Sequence, residues 1–175
     1  QPGDAKYLDV NGDGVINADD RIVMGKPDPD YIFGINNGFS YKGISLTVFI
    51  QGVVGKEGKK IGPIYDPSEA TSNKSIELLH RWTPDNPESN IPRAGFADRL
   101  TPSTYDLMSL SYVKIRNIQL GYTLPSKVIP KLGSVNVYLS GENLVTFTKY
   151  TGFDPDGGSD YPTSSSVILG LNIQF

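Results

Sequence analysis

Alternation of apolar and polar residues along the chain predicts five β-strands. They are expected at residues 31–41, 43–54, 110–123, 134–147 and 166–175. With few exceptions, such as Ile168, the apolar residues of each strand recur at every second position, which places them on one face and the small or polar residues on the other. In the third strand the apolar positions change from odd to even numbers near Arg116 and Asn117, which predicts a β-bulge there.

The connections between these strands alternate between short and long. Residues 41–43 leave room only for a hairpin turn, and residues 124–133 predict a compact turn. Residues 55–109 and 148–165 are long and polar, and the apolar spacing at 73–82 predicts one short helix. Structureless loops longer than about 15 residues are uncommon in compact soluble domains. The long connections therefore need another explanation.

An outer-membrane β-barrel explains both the continuous apolar face and the long loops at one end, because the apolar face meets lipid and the polar face lines the lumen. The sequence then predicts an all-β fold, made of antiparallel strands of a transmembrane barrel. We expect an aromatic girdle at one lipid boundary from Tyr41, Tyr122 and Phe175, with the short turns on the periplasmic side and the long loops outside. The residues expected to face the lumen are Lys114, Arg116, Gln119, Asn136, Glu142, Asn172 and Gln174.

Five strands are too few for a closed membrane barrel, which needs about eight or more. Open strand edges cannot sit in lipid, because their backbone groups would lack hydrogen-bond partners. We therefore expect the chain to be an incomplete barrel, the C-terminal end of a larger polypeptide. Residues 1–30 would form an extracellular loop ahead of the first strand.

Composition narrows the range of partners and chemistries. The net charge of −3 argues against a nucleic-acid partner, and the absence of cysteine excludes disulfides and thiolate metal sites. No apolar run approaches the roughly 18–20 residues of a transmembrane helix. The single histidine, His80, is expected to be exposed or packed in a loop, and no nucleophile with a base beside it is visible. We therefore do not expect an enzyme.

Residues 9–20 fit the twelve positions of a calcium-binding loop. The expected ligands are the side chains of Asp9, Asn11, Asp13 and Asp20 and the backbone carbonyl of Val15. Asp20 stands where a bidentate Glu is usual and is one methylene shorter, so the loop must close more tightly or bind more weakly. Residues 1–4 cannot make the entering helix of an EF-hand, so this would be a lone loop. The alternative is a network of Asx turns without a metal.

Several blocks of the sequence resemble the C-terminal region of SusC/RagA-type TonB-dependent outer-membrane transporters, in the order in which that family carries them. They are residues 7–16, 20, 24–25, 29, 34, 41–43, 81–87, 111–118, 120–125, 140–144 and 148–155 and the terminal Phe175. The likeness covers almost the whole chain. It is specific for the family and does not identify the member.

The resemblance implies a 22-stranded barrel in the cell outer membrane of a Gram-negative bacterium, filled by an N-terminal plug. It implies import of glycans, or in some members peptides, driven through the plug by TonB, with a SusD-type surface lipoprotein as a lid. Phe175 would be part of the signal read by the barrel-assembly machinery. The plug is absent from this sequence, so transport cannot rest on these residues alone, and no ligand-contacting residue is carried over from the family.

Two other functions compete with this interpretation. A soluble calcium-dependent β-sandwich, such as a carbohydrate-binding module, would suit the loop at 9–20 and the exposed aromatic residues. Its strands should show polar outer faces throughout, whereas these strands put apolar residues on the face that would meet lipid. A glycosidase would need two carboxylates in one cleft, but the acidic clusters here fall in turns.

Overall fold

One antiparallel sheet dominates the computed structural model, which describes residues 1–59, 76–94, 103–125, 127–128, 133–156 and 161–174. The strands within these ranges are β1 (Tyr31–Tyr41), β2 (Ile44–Val54), β3 (Glu57–Lys59), β4 (Leu107–Ser109), β5 (Tyr112–Leu124), β6 (Ser134–Thr148) and β7 (Ser166–Gln174). The five long strands form the main sheet in the order β1-β2-β5-β6-β7, and β3 pairs with β4 in a separate two-stranded sheet. The prediction of an all-β fold with five long antiparallel strands is confirmed.

A two-residue turn joins β1 to β2. Tyr41 pairs with Ile44, and Lys42 and Gly43 between them both have positive φ, of 47° and 87°. Two central residues with positive φ make a type I′ turn, whose twist matches the twist of the flanking strands. The predicted hairpin is therefore confirmed, and β2 begins one residue later than expected because Gly43 belongs to the turn.

A β-bulge lies in β5 at the position where the apolar pattern changes parity. On the β2 side, Phe49 pairs with Asn117 and Ile50 with Ile115, which leaves Arg116 unpaired. On the β6 side the register also shifts between Ile115 and Asn117. The extra residue keeps the apolar side chains before and after it on the same face of the sheet. The predicted bulge is thus confirmed.

The register of the five strands sorts their residues onto two faces of opposite character. One cross-strand row on the apolar face consists of Phe39, Leu46, Leu120, Leu139 and Leu169. The neighbouring row on the other face consists of Ser40, Ser45, Gly121, Tyr138 and Gly170. Because side chains alternate along each strand, this contrast extends over the sheet, with Asn37 as a polar exception on the apolar face.

The chain divides into two compact units, and the five-stranded sheet belongs to the unit formed by Lys26–Gly58 and Ser109–Phe175. The other unit comprises Gln1–Gly25 and Lys59–Met108. Within it, the Arg93 backbone N–H donates to the Gly3 carbonyl at 2.9 Å and the Arg93 side chain forms an ion pair with Asp4 at 2.5 Å. This pair lowers the pKa of the Asp4 carboxyl.

Helical structure in the described residues is limited to short 3-10 segments, at Ala18–Asp20, Ile76–His80 and Thr104–Asp106. The short helix predicted at 73–82 is the 3-10 segment Ile76–His80, and residues 73–75 lie outside the described ranges. None of the helices in the part of the chain that is described has the length and apolar character needed to cross a membrane.

Candidate functional site

The apolar face of the sheet is exposed across its width. Phe39 in β1, Leu120 in β5 and Leu169 in β7 keep 62%, 51% and 76% of their surface accessible. Ordinary soluble domains rarely leave a continuous apolar patch of more than a few hundred Å² uncovered, because water contact with such a surface is unfavourable. In the described residues the sheet is therefore not half of a sandwich whose apolar faces meet. An apolar environment has to cover it.

Tyrosine residues mark one end of this apolar face. Ile44 pairs with Tyr41 on one side and with Tyr122 on the other, so both rings lie at the end of the sheet that carries the β1–β2 turn. Both are exposed. This position suits an aromatic girdle at a membrane boundary. Phe175, the third residue predicted for the girdle and the predicted assembly signal, lies outside the described residues.

The opposite face carries the polar residues that were predicted to line a lumen. Lys114, Gln119, Asn136, Glu142, Asn172 and Gln174 share this face by register. Asn136 sits between Thr123 and Asn172 and donates from its amide to the Thr123 hydroxyl at 2.9 Å. Asn117 donates to the Ser140 hydroxyl at 2.9 Å. Such cross-strand hydrogen bonds satisfy polar side chains on a wet surface without fixing a ligand.

Lys114 is the most deeply buried of these residues, although it belongs to the polar face. The residue is 1% exposed, and its ammonium group lies 3.0 and 3.1 Å from the two carboxylate oxygens of Asp154. Asp154, in the loop between β6 and β7, is 6% exposed. The ammonium group also lies 5.5 Å from the centre of the Tyr112 ring, a cation–π distance. A buried charge without a partner is costly, so this contact ties the loop to the sheet.

Arg116, the bulge residue, makes a second connection to the same loop. Its guanidinium group donates to Gln51 of β2 at 2.7 Å, to Asn143 of β6 at 3.0 Å, and to the carboxylate of Asp156. The Tyr112 hydroxyl donates to the other oxygen of Asp156 at 2.6 Å. Since the bulge turns Arg116 toward polar side chains of both neighbouring strands, its predicted position on the polar face agrees with these contacts.

Hydrogen bonds also join residues on the two sides of the loop between β6 and β7. The carboxylate of Asp154 accepts hydrogen bonds from the backbone N–H groups of Asp156 at 3.0 Å and Thr163 at 3.1 Å. Burial alone raises the pKa of Asp154, but the hydrogen bonds from Thr163, the Asp156 backbone and Lys114 outweigh it. The pKa of this carboxyl therefore lies well below its usual range, and the group is ionised at neutral pH.

The sequence pattern identified Lys114 and Arg116 but did not identify their partners. Asp154 and Asp156 were assigned to an outer polar loop, because their stretch lacks alternation and is rich in Pro and Gly. The one available signal was the occurrence of two cations on the polar side of a strand in a chain of negative net charge. Such cations need counter-charges, but nothing local says which acids supply them.

The loop at residues 9–20 is closed by its own hydrogen bonds. The carboxylate of Asp9 accepts from the backbone N–H groups of Gly12 at 2.6 Å and Gly14 at 2.8 Å. Asp20 accepts from Val10 at 2.9 Å and Asn17 at 2.8 Å. The backbone hydrogen bonds from Asn17 and Val10, the former the larger effect, lower the pKa of Asp20. This is the Asx-type network that was the alternative to a metal site.

The oxygen-rich donor set of this loop suits a hard cation, but its present arrangement does not gather the donors. Asp13 accepts from the Val15 backbone at 2.7 Å and from the Asn11 amide at 3.0 Å. Among the described residues, no three acidic, histidine or cysteine side chains come close enough together to share a metal ion. The five predicted ligands lie in one loop, and calcium binding stays a prediction.

Comparison with known proteins connects the chain to a family. No family model matches the sequence. The chain is 34% identical over 200 residues to the TonB-dependent receptor P26 of Formosa agariphila, an alignment that covers 99% of this chain and 20% of the receptor. It is 25% identical over 189 residues to the TonB-dependent receptor SusC of Bacteroides thetaiotaomicron, covering 100% of this chain and 18% of SusC.

A solved structure of the RagAB peptide importer in its open-open state contains the same arrangement of strands. The match has a TM-score of 0.79 and 29% sequence identity and covers 97% of this chain and 20% of that chain. These likenesses show that the chain belongs to the family of TonB-dependent receptors. More narrowly, it is a C-terminal barrel region of the SusC/RagA type, as its sequence motifs predicted. It spans about one fifth of the length of the relatives it matches.

Proposed function

We propose that the chain forms the last five strands of the outer-membrane barrel of a nutrient importer. The observation that carries this proposal is the sheet with one exposed, continuous apolar face and one polar face. In a barrel wall the first would meet lipid and the second would line the lumen. The two edge strands, β1 and β7, would pair with further strands of the same polypeptide, up to the 22 strands that the family resemblance implies.

The direction of the strands gives the wall an orientation. In outer-membrane barrels short turns lie on the periplasmic side and long loops outside. The two-residue turn after β1 and the connection between β5 and β6 would then be periplasmic. Residues 1–30, the segment between β2 and β5, and the loop between β6 and β7 would lie at the outer end. The tyrosines Tyr41 and Tyr122 would sit at the periplasmic boundary of the lipid.

The remaining parts of the importer would provide the energy for transport and would capture the ligand. A plug from another part of the polypeptide would receive TonB, and a SusD-type lipoprotein would cover the outer end. The cargo would be an oligosaccharide or a peptide; SusC-type relatives and the RagAB peptide importer support import as the common function but leave the cargo open. The role of this segment would be to form the wall, with no catalytic step.

The proposal is tested by the size and location of the native polypeptide. Cells would be fractionated and probed with an antibody raised against residues 76–94. We expect an outer-membrane band of about 100 kDa, five times the 19.1 kDa of this chain, whose gel mobility shifts on heating. A soluble or secreted band near 19 kDa would sink the importer proposal and make the calcium-dependent sandwich the working hypothesis.

We also propose that the loop at residues 9–20 binds calcium weakly, with Asp9, Asn11, Asp13, Asp20 and the Val15 carbonyl as its ligands. A carboxylate oxygen that accepts one N–H keeps another lone pair, so the present hydrogen bonds do not use up the donor set. We expect calcium to raise the melting temperature of the wild-type receptor and to have no effect on an Asp9→Ala, Asp13→Ala double variant. An identical melting temperature of the wild type with and without calcium would contradict calcium binding by this loop.

Phe175 is proposed to belong to the signal for barrel assembly. We expect Phe175→Ala to reduce the amount of assembled receptor in the outer membrane, while Gln174→Ala, the same truncation at the preceding position, leaves it unchanged. Equal amounts of both variants would show that the terminal ring is not needed for assembly.

A further inference from the structure

We propose that a strap of the chain, residues 149–156 and 161–165, is held fixed against the inner wall of the barrel. The contacts of the strap run to the polar face of the sheet. That this face is an inner wall rests on the proposed function. The attachment of the strap to the sheet does not, and it can be tested separately.

The strap is attached through three wall residues at alternate positions of one strand. Tyr112, Lys114 and Arg116 all belong to β5, and each contacts an acidic residue of the strap. Asp154 accepts hydrogen bonds from the ammonium group of Lys114, and Asp156 accepts them from Tyr112 and Arg116. Because charge-assisted hydrogen bonds are stronger than neutral ones and all of these act on a segment of three residues, they hold the strap cooperatively.

A second attachment lies on β6, at the other side of the strap. Asn143 has a left-handed backbone with a φ of 51°, at the point where the register of β6 against β5 shifts. The side-chain amide of Asn143 donates to the Ser164 carbonyl at 3.3 Å, and the backbone carbonyl of Asn143 accepts from the Ser165 hydroxyl at 2.7 Å. The Asn143 side chain also accepts a hydrogen bond from Arg116. The bulge region therefore connects the C-terminal end of the strap to its N-terminal part.

The groups of this network find partners within the protein itself. Arg116 has three protein acceptors, and both oxygens of Asp154 and of Asp156 accept hydrogen bonds. Among the described residues, no buried side-chain nitrogen or oxygen lacks a partner. The cluster joins the strap to the sheet through charged contacts at several points, and we call it a structural lock.

Hydrogen–deuterium exchange of the full-length receptor, purified in detergent, tests the lock. We expect the peptides that contain the amides of Asp156 and Thr163 to be protected in the wild type, to the same extent with and without the lid lipoprotein. Asp154→Asn removes the charge that holds Lys114, and we expect at least tenfold faster exchange at these amides. Asp28→Asn, the same change at an exposed acid outside the strap, should leave them unchanged.

Strap amides that exchange as fast as an unprotected loop in the wild type would overturn the proposal, as would protection that changes with the lid. So would full protection in Asp154→Asn. If Asp154→Asn does not assemble, Asp156→Asn replaces it. This variant keeps the Lys114–Asp154 pair and removes the negative charge that faces Tyr112, Arg116 and, at 3.9 Å, Lys114, and accelerated exchange is again expected. A soluble 19 kDa native protein with a protected strap would refute the importer and leave the lock intact.

Discussion

Among the described residues, Lys114 is a charged residue that is buried more completely than the apolar ones. It is 1% exposed, while Leu120, Leu139 and Leu169 of the same sheet are 51%, 49% and 76% exposed. A soluble domain is expected to bury its apolar residues and expose its charged ones, because removing an ammonium group from water costs several kcal/mol unless a partner compensates it. Here Asp154 compensates it from a loop 40 residues away in sequence. The arrangement is intelligible if the inner face is the polar one and the outer face meets lipid.

The ionisation of Asp154 predicts how the strap responds to pH. Its pKa in the folded protein lies below the unfolded value, so its contribution to stability is fully present above about pH 4 and is lost only as the pH falls through the lower folded value. We therefore expect the protection of the strap amides, corrected for intrinsic exchange rates, to be the same at pH 7.5 and pH 5.5. Loss of protection at pH 5.5 would contradict this assignment of the carboxyl.

A second prediction at this scale concerns Gly43 in the β1–β2 turn. Its φ is 87°, and a Cβ atom built there would lie 2.9 Å from the backbone oxygen of Thr123. A left-handed backbone costs an alanine roughly 1–2 kcal/mol more than glycine, and the close contact adds to this. We expect Gly43→Ala to lower the urea midpoint of the refolded receptor. Gly38→Ala, in open space within β1, should have little effect; equal midpoints for both variants would show that the turn is not strained.

The strands themselves are specified by local alternation, and this is why the sequence predicts them well. The parity change at Arg116 indicated the bulge, since an extra residue is the simplest way to keep Ile115 and Ile118 on one face. The strands β3 and β4 have three residues each and are too short to show a period. The contact between Arg116 and Asp156 is not predictable in this way, because the alternation that reveals a strand says nothing of a contact that depends on the whole sheet.

The two sides of β7 offer the sharpest test of which face meets lipid. Leu169 and Ile168 are adjacent and both apolar, but Leu169 pairs with Leu139 on the apolar face and Ile168 with Ser140 on the polar face. An arginine facing lipid costs about 2–4 kcal/mol near the middle of the bilayer and much less at its boundaries. We expect Leu169→Arg in the full-length receptor to reduce the heat-shifted, assembled form strongly. Ile168→Arg should be tolerated.

The reverse result, with Ile168→Arg impaired and Leu169→Arg tolerated, would exchange the assignment of lumen and lipid. Impairment of both would indicate that the strand is covered by protein on both faces. Only the predicted asymmetry supports a wall with one lipid side.

At the scale of the whole molecule, the sheet has two long edges that nothing in the described chain covers. In the sheet order β1 and β7 are terminal, so each presents a row of unpaired backbone groups along one side. Water can satisfy such groups, but lipid cannot, which makes the apolar face and the open edges incompatible in an isolated segment. A sheet of this kind can enter a membrane only when further strands close it into a barrel.

The last prediction follows from that incompatibility. We expect the 175-residue chain expressed alone, without the rest of the receptor, to give no heat-shifted monomer and no carbonate-resistant insertion into vesicles. The full-length receptor, treated in the same way, should give both. Insertion of the isolated chain as a protease-protected monomer would mean that its edges find partners within the segment itself. Stable, soluble expression with a protected sheet would mean that something other than lipid covers the apolar face. The failure of the fragment alongside the success of the full-length receptor would locate the missing partners of β1 and β7 in the rest of that polypeptide.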